Sequence, residues 1–242
     1  MKFEQSDKIQ DYIFPLIKSK RNLIEGGYIY HELIGTGFFI GKNGFAITAG
    51  HVVDQLLENH NAETDAITIL LQEYPNWLAF EIEKYEKHAS EDVGIIKIKS
   101  EQEWNSILQV TDSPQNGSCE YNCYGYPHEI AKELQLLEEN ALDKPELIYT
   151  QGYVRRRISR ELYPTMIYRG KQFYELSETV GGGNSGGPLI LKTSIGKSKL
   201  EVFGIYIGEN EKVGYGVRAE AFCDWIPDIL GKTIKNEANN AT

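Results

Sequence analysis

The chain has 242 residues, 41% of them hydrophobic, with a formal net charge of −10 and a pI near 5.1. That apolar fraction supports an ordinary globular core and excludes a disordered or fibrous polymer. The acidic balance repels phosphate backbones and anionic lipid, so neither nucleic acid nor a membrane is expected as a partner.

The opening stretch MKFEQSDKIQDYIFPLIKSK lacks a basic start followed by an unbroken apolar run. No later run reaches membrane-spanning length, and a cytoplasmic location is the resulting expectation. Between Ser6 and Lys20, the residues Ile9, Tyr12, Ile13, Leu16 and Ile17 recur at helical spacing behind Ser6 or Asp7 as a cap. This predicts an amphipathic helix interrupted by Pro15, within an N-terminal helical segment over 1–27.

After Gly26-Gly27 the chain turns to short runs rich in Tyr, Ile, Val and Phe, punctuated by Gly, Asn and Pro, which is the pattern of an all-β fold. A first β unit is placed over 28–100, from YIYHELI, TGFFIGKNGFAITAG, DAITILLQ, LAFEIEKYE and VGIIKIK. Lys42-Asn43-Gly44 marks a hairpin, since Asn-Gly tolerates positive φ, and one helical turn is expected after His51. Residues 101–116 lack a strong period and read as a linker. A second β unit spans 117–230, with a helix-forming insertion between Glu129 and Leu142 and a closing helix from Ala219 to Leu230 that contains Trp225. Residues 231–242 read as a polar tail.

Three cysteines make no disulfide framework. Four residues along a strand span roughly 13 Å, which keeps Cys119 and Cys123 beyond disulfide reach, so buried free thiols are expected. No His/Cys/Asp cluster has metal spacing and no glycine-rich loop carries a phosphate-cradling lysine, so no metal or cofactor is expected. Arg155-Arg156-Arg157 with Arg160 reads as a solvated face, and Tyr121, Tyr124 and Tyr126 read as core and turn residues.

The strongest chemical signal is Gly181-Gly182-Gly183-Asn184-Ser185-Gly186-Gly187-Pro188-Leu189. A serine between glycines can sit on a tight turn that a substrate carbonyl approaches closely, with the Gly183 and Ser185 N–H groups aimed at the developing oxyanion. A serine is too weakly acidic to attack unaided, so a base is required. Ala46-Ile47-Thr48-Ala49-Gly50-His51-Val52-Val53-Asp54 supplies His51, with Ala49 and Gly50 leaving room for an imidazole. Ser90-Glu91-Asp92-Val93-Gly94-Ile95 supplies a carboxylate, Asp92, just before a strand, with Asp65 as the fallback. His31, His60, His88 and His128 have no comparable sequence setting.

These three segments resemble the trypsin/chymotrypsin-like serine peptidases, particularly the HtrA (DegP-like) branch: G-N-S-G-G-P-L around the serine, T-x-x-H-V-V around the histidine, and Asp92-Val93-Gly94-Ile95 after them, in the order His, Asp, Ser. The resemblance spans roughly 35–225. It implies two packed antiparallel β-barrels with His51 and Asp92 from the first and Ser185 from the second. Ser185 would attack, His51 would relay its proton, Asp92 would orient the imidazole, and Gly183 with Ser185 would form the oxyanion hole. The resemblance further implies a substrate pocket floored by Thr179, neutral and so unlike a pocket for Arg or Lys. Its walls run through Ile205 to Glu209 and Tyr215 to Val217, with Gly208 and Gly216 leaving space and Tyr206 or Ile207 restricting it. Glu209 could still attract a basic side chain.

Two departures matter. Digestive relatives carry an aspartate where this chain has Asn184, so activation through an ion pair with a new amino terminus is not expected, and control falls to loop ordering or a regulatory protein partner. HtrA relatives usually carry a PDZ domain, and none is expected from residues 231–242. The expected function is that of a serine endopeptidase acting on a protein or peptide. A non-catalytic or partner-activated peptide-binding module and an esterase or acyl transferase remain as alternatives on the same fold. Oligomeric state is not specified by the sequence.

Overall fold

The computed structural model describes residues 8–73, 76–100, 102–137, 145–162 and 168–239, excepting the side chains of 133–137. Six antiparallel strands form the first barrel: β1 (Ile13–Arg21), β2 (Tyr28–Ile40), β3 (Phe45–Thr48), β4 (Asp65–Glu73), β5 (Asn76–Lys87) and β6 (Gly94–Ile98). They run in the order β1-β2-β3-β6-β5-β4, and pairing of β1 with β4 closes the ring so that no sheet edge is exposed. Phe14, Phe38, Phe39, Ile47, Ile69 and Ile96 are buried in it.

The second ring contains β8 (Glu120–Gly125), β9 (Ile148–Ser159), β10 (Gln172–Leu176), β11 (Pro188–Leu191), β12 (Leu200–Glu209) and β13 (Gly214–Arg218). It closes through β11 against β12, while β7 (Leu108–Val110) adds to β12 in parallel. Tyr121, Val154, Tyr174, Leu176, Leu189, Phe203 and Tyr206 pack together there. The fold is the chymotrypsin-like double barrel that the motifs implied. Helices are few among the described residues: α1 (Gly50–Leu57), α2 (His128–Leu137) and α3 (Ile234–Asn239).

The expected N-terminal helix is instead a 3-10 turn, Ile9–Asp11, followed by β1. A strand buried on both faces presents apolar residues at nearly every position, so the spacing of Ile9, Ile13 and Ile17 imitates a helix. Pairing with β2 and β4 satisfies the β1 backbone on both sides, and Pro15 is tolerated opposite Thr36. The cap candidates Ser6 and Asp7, and residues 138–142 of the expected insertion helix, lie outside the described residues; α2 accounts for 128–137. The linker is not featureless, since β7 lies within it.

The closing helix is also displaced. Ala219–Ala221 makes one 3-10 turn, Pro227 interrupts the stretch, and Gly231 at φ +72° redirects the chain before α3 begins. Residues 234–239, expected to belong to a polar tail, dock instead through buried Ile234, Glu237 and Ala238. The Glu237 carboxylate accepts from the Asn43 amide at 3.0 Å and pairs with Lys232. All three cysteines are free, and burial pushes the Cys123 thiol up to about 12 and the Cys223 thiol to about 11.

Candidate active site

His51 lies in the first turn of α1, directly after β3. Asp92 lies in the turn before β6 and is almost fully buried. Its carboxylate grips His51 twice: Oδ1 accepts the His51 backbone N–H at 2.7 Å, and Oδ2 meets ring Nδ1 at 2.7 Å. Because a carboxylate only accepts, Nδ1 carries the proton and Nε2 is left as the basic nitrogen. Gly50 makes room for the Asp92 carboxylate rather than for the imidazole, as a methyl group there would fall 2.9 Å from Oδ1. Asp65 is remote from this pair in role: it is half-buried at the start of β4 and accepts the Asn61 N–H at 2.9 Å.

The Asp92 turn has its own support. His88 Nδ1 accepts the backbone N–H groups of Glu91 at 3.0 Å and Ser90 at 3.3 Å. The ring stacks edge-on against Trp225 at 5.1 Å, and burial lowers its pKa below the ordinary 6.5.

Ser185 comes from the second barrel and is tied to the first through Thr36 of β2, and a Cβ on the next residue, Gly186, would fall 2.9 Å from the Ala49 nitrogen. Thr36 donates its N–H to the Ser185 carbonyl at 2.9 Å and its hydroxyl to the Gly183 carbonyl at 2.8 Å, and its Oγ1 accepts the Tyr126 N–H at 3.0 Å. This one side chain ties the two barrels at the nucleophile loop. The Ser185 hydroxyl donates to the Ile207 carbonyl at 3.1 Å, and no hydrogen bond to His51 is formed among the described residues.

The His128 N–H donates to the Gly182 carbonyl at 2.7 Å. In a trans peptide the next N–H, that of Gly183, points the opposite way. Gly183 has φ +92°, and a side chain there would strike the Tyr126 carbonyl and lie 2.8 Å from the His128 nitrogen, so only glycine fits. The N–H groups of Gly183 and Ser185 have no acceptor among the described residues. They are available to a developing oxyanion.

The expected substrate pocket is rearranged. Thr179, expected at its floor, is exposed, and Tyr206 is buried in the second core, paired across the strands with Gly216. The Tyr206 hydroxyl donates to Glu209 Oε2 at 2.5 Å. Burial, then the hydrogen bond and charge of Glu209, hold the phenol far above the ordinary tyrosine range. Ile207 is buried, and Gly208 lies beneath the Tyr168 hydroxyl, whose pKa is raised by burial although the nearby Glu209 backbone amide opposes the shift. The Tyr168 ring stands 5.9 Å from that of His51.

The arginine run is paired rather than merely solvated: Arg155 and Arg156 meet Glu175, and Arg157 meets Glu220. Sequence reasoning missed Thr36, His128 and Tyr168. Only His128 sat close to a residue the sequence had singled out, Tyr126 two positions before it.

Two closed barrels meeting at a histidine–aspartate pair and a glycine-embedded serine define a chymotrypsin-like protein. The family model described as Trypsin matches residues 19–226, and the chain belongs to that family. Solved structures share the fold at low identity. The MamO protease domain from Magnetospirillum magneticum in its apo form is 14% identical with a TM-score of 0.59, covering 89% of this chain and 95% of its own. Deg5 is 18% identical with a TM-score of 0.60, covering 88% and 86%. The Rv3671c protease from M. tuberculosis in its active form is 18% identical with a TM-score of 0.55, covering 87% and 77%. No curated protein sequence matches.

Proposed function

We propose that the chain is a serine endopeptidase in which Ser185 attacks a peptide carbonyl, His51 Nε2 takes and returns the proton, and Asp92 fixes the imidazole. The observation that carries this reading is the double grip of Asp92 on His51 at 2.7 Å, which leaves Nε2 free to act as the base. The oxyanion of the tetrahedral intermediate is met by the free N–H groups of Gly183 and Ser185. Water then hydrolyses the acyl-enzyme. With Tyr206 filling the pocket interior, the residue before the scissile bond is small. The substrate is a protein or peptide, and a cytoplasmic location and freedom from cofactors go with this reading.

A partner-activated resting form has specific support, because the Ser185 hydroxyl is held by the Ile207 carbonyl and the Tyr168 hydroxyl stands over Gly208. Labelling with a fluorophosphonate probe, in wild type and in Ser185→Ala and His51→Ala, tests the nucleophile. Loss of labelling in both variants is expected, followed by cleavage in a peptide library. A folded wild type that takes no label under any condition overturns the catalytic reading.

A further inference from the structure

We propose that Glu209 is the positioning residue of the oxyanion loop, a carboxylate clamp that holds residues 180–183 in the shape their chemistry needs. The inference rests on the peptidase reading and adds a residue to it.

Three consecutive glycines make this loop costly to order, so something must hold it. The hydrogen bonds show what does. A single oxygen of Glu209, Oε2, accepts the Val180 N–H at 2.8 Å, the Gly181 N–H at 3.0 Å and the Tyr206 hydroxyl at 2.5 Å. The carbonyls of the same two residues are taken from the other side by the Asn184 side-chain amide. Residues 180 and 181 are thus fixed on both edges by charge-assisted and amide bonds. Beyond them, His128 takes the Gly182 carbonyl and Thr36 the Gly183 carbonyl. The N–H groups at 183 and 185 remain for substrate.

Glu209 is the last residue of β12, the strand whose Ile207 carbonyl holds the Ser185 hydroxyl and whose Tyr206 backbone pairs with Gly186 and Gly187. One strand end therefore sets both the nucleophile and the loop. With Oε2 engaged by three donors, Glu209 is also a poor receptor for a basic substrate side chain.

The test compares wild type with Glu209→Gln and Tyr206→Phe. Hydrogen exchange read by mass spectrometry over peptides covering 179–187 is expected to quicken roughly tenfold in Glu209→Gln while the barrel strands are unchanged. With a small-residue peptide ester, kcat is expected to fall about a hundredfold, as for a loop misplaced by an ångström, with KM nearly constant. Affinity for a peptide aldehyde, whose adduct needs the same two N–H groups, should fall in step with kcat. Tyr206→Phe removes one donor and should move each readout in the same direction by less. Unchanged loop exchange in both variants, or a loss confined to KM, overturns the clamp. A wild type inert to fluorophosphonate overturns the peptidase reading instead, and the exchange comparison then decides the clamp independently of it.

Discussion

The Ser185 hydroxyl donates to the Ile207 carbonyl at 3.1 Å and makes no hydrogen bond to the His51 ring. A rotation about one side-chain bond turns the same hydroxyl away from Ile207, and the three staggered wells of serine make such a switch inexpensive. Ser185→Ala should therefore cost little stability, about 0.5 to 1.5 kcal/mol for one neutral hydrogen bond, while abolishing labelling and turnover. Thermal unfolding beside fluorophosphonate labelling checks this. A large loss of stability would assign the hydroxyl a structural role.

Under the proposed function, Tyr168 crowds a second group that a substrate backbone would use. Its hydroxyl lies over Gly208 close to the Glu209 backbone amide, at the end of β12. Tyr168→Phe keeps the ring near His51 and takes the hydroxyl away from that amide. KM for a peptide of four or more residues should fall several-fold, each tenfold being worth about 1.4 kcal/mol, with kcat little changed. Steady-state kinetics on a short and a long peptide decide the matter, because a short substrate that does not reach Glu209 should show no gain.

Under the proposed function, Tyr206 sets the size of the side chain admitted next to the scissile bond. Its ring lies 2.9 Å from where a methyl group on Gly214 would stand, and it is nearly inaccessible to solvent. Tyr206→Ala should shift cleavage in a peptide library from glycine and alanine towards larger apolar residues, at a stability cost of about 3 to 5 kcal/mol for emptying a packed aromatic site. An unchanged library profile in a folded variant would mean that the substrate side chain goes elsewhere.

The parts of the site that could be read from the sequence are those where chemistry dictates residue type in a short window. Ser185 among its glycines, His51 after β3 and Asp92 before β6 each carry their reason within a few positions. Thr36, His128 and Glu209 act on residues 183, 182 and 180–181, which are distant along the chain for Thr36 and His128, and nothing local in a Thr-Gly-Phe run marks a barrel-to-barrel tie. The strand pattern of the double barrel was legible for the same local reason. β1 was not, because burial on both faces erases the alternation that separates strand from helix. α3 was missed because its polar residues conceal the partners that Asn43 and Lys232 provide for Glu237.

His88 makes the Asp92 turn sensitive to acid. The neutral ring is required, since Nδ1 accepts the N–H groups of Ser90 and Glu91 and cannot do so once protonated. Burial depresses its folded pKa below the ordinary 6.5, opposed by the nearby Glu91 carboxylate and reinforced by Arg169. A base depressed on folding binds fewer protons in the native state than in the unfolded chain. Its contribution is therefore complete above about pH 6.5 and is lost as pH falls through the folded value. Thermal unfolding from pH 8 to pH 5 should show a decline beginning near 6.5, flattened over that window in His88→Asn, whose side-chain oxygen can accept one of the two N–H groups without titrating. Equal slopes in the two proteins would place the acid sensitivity elsewhere.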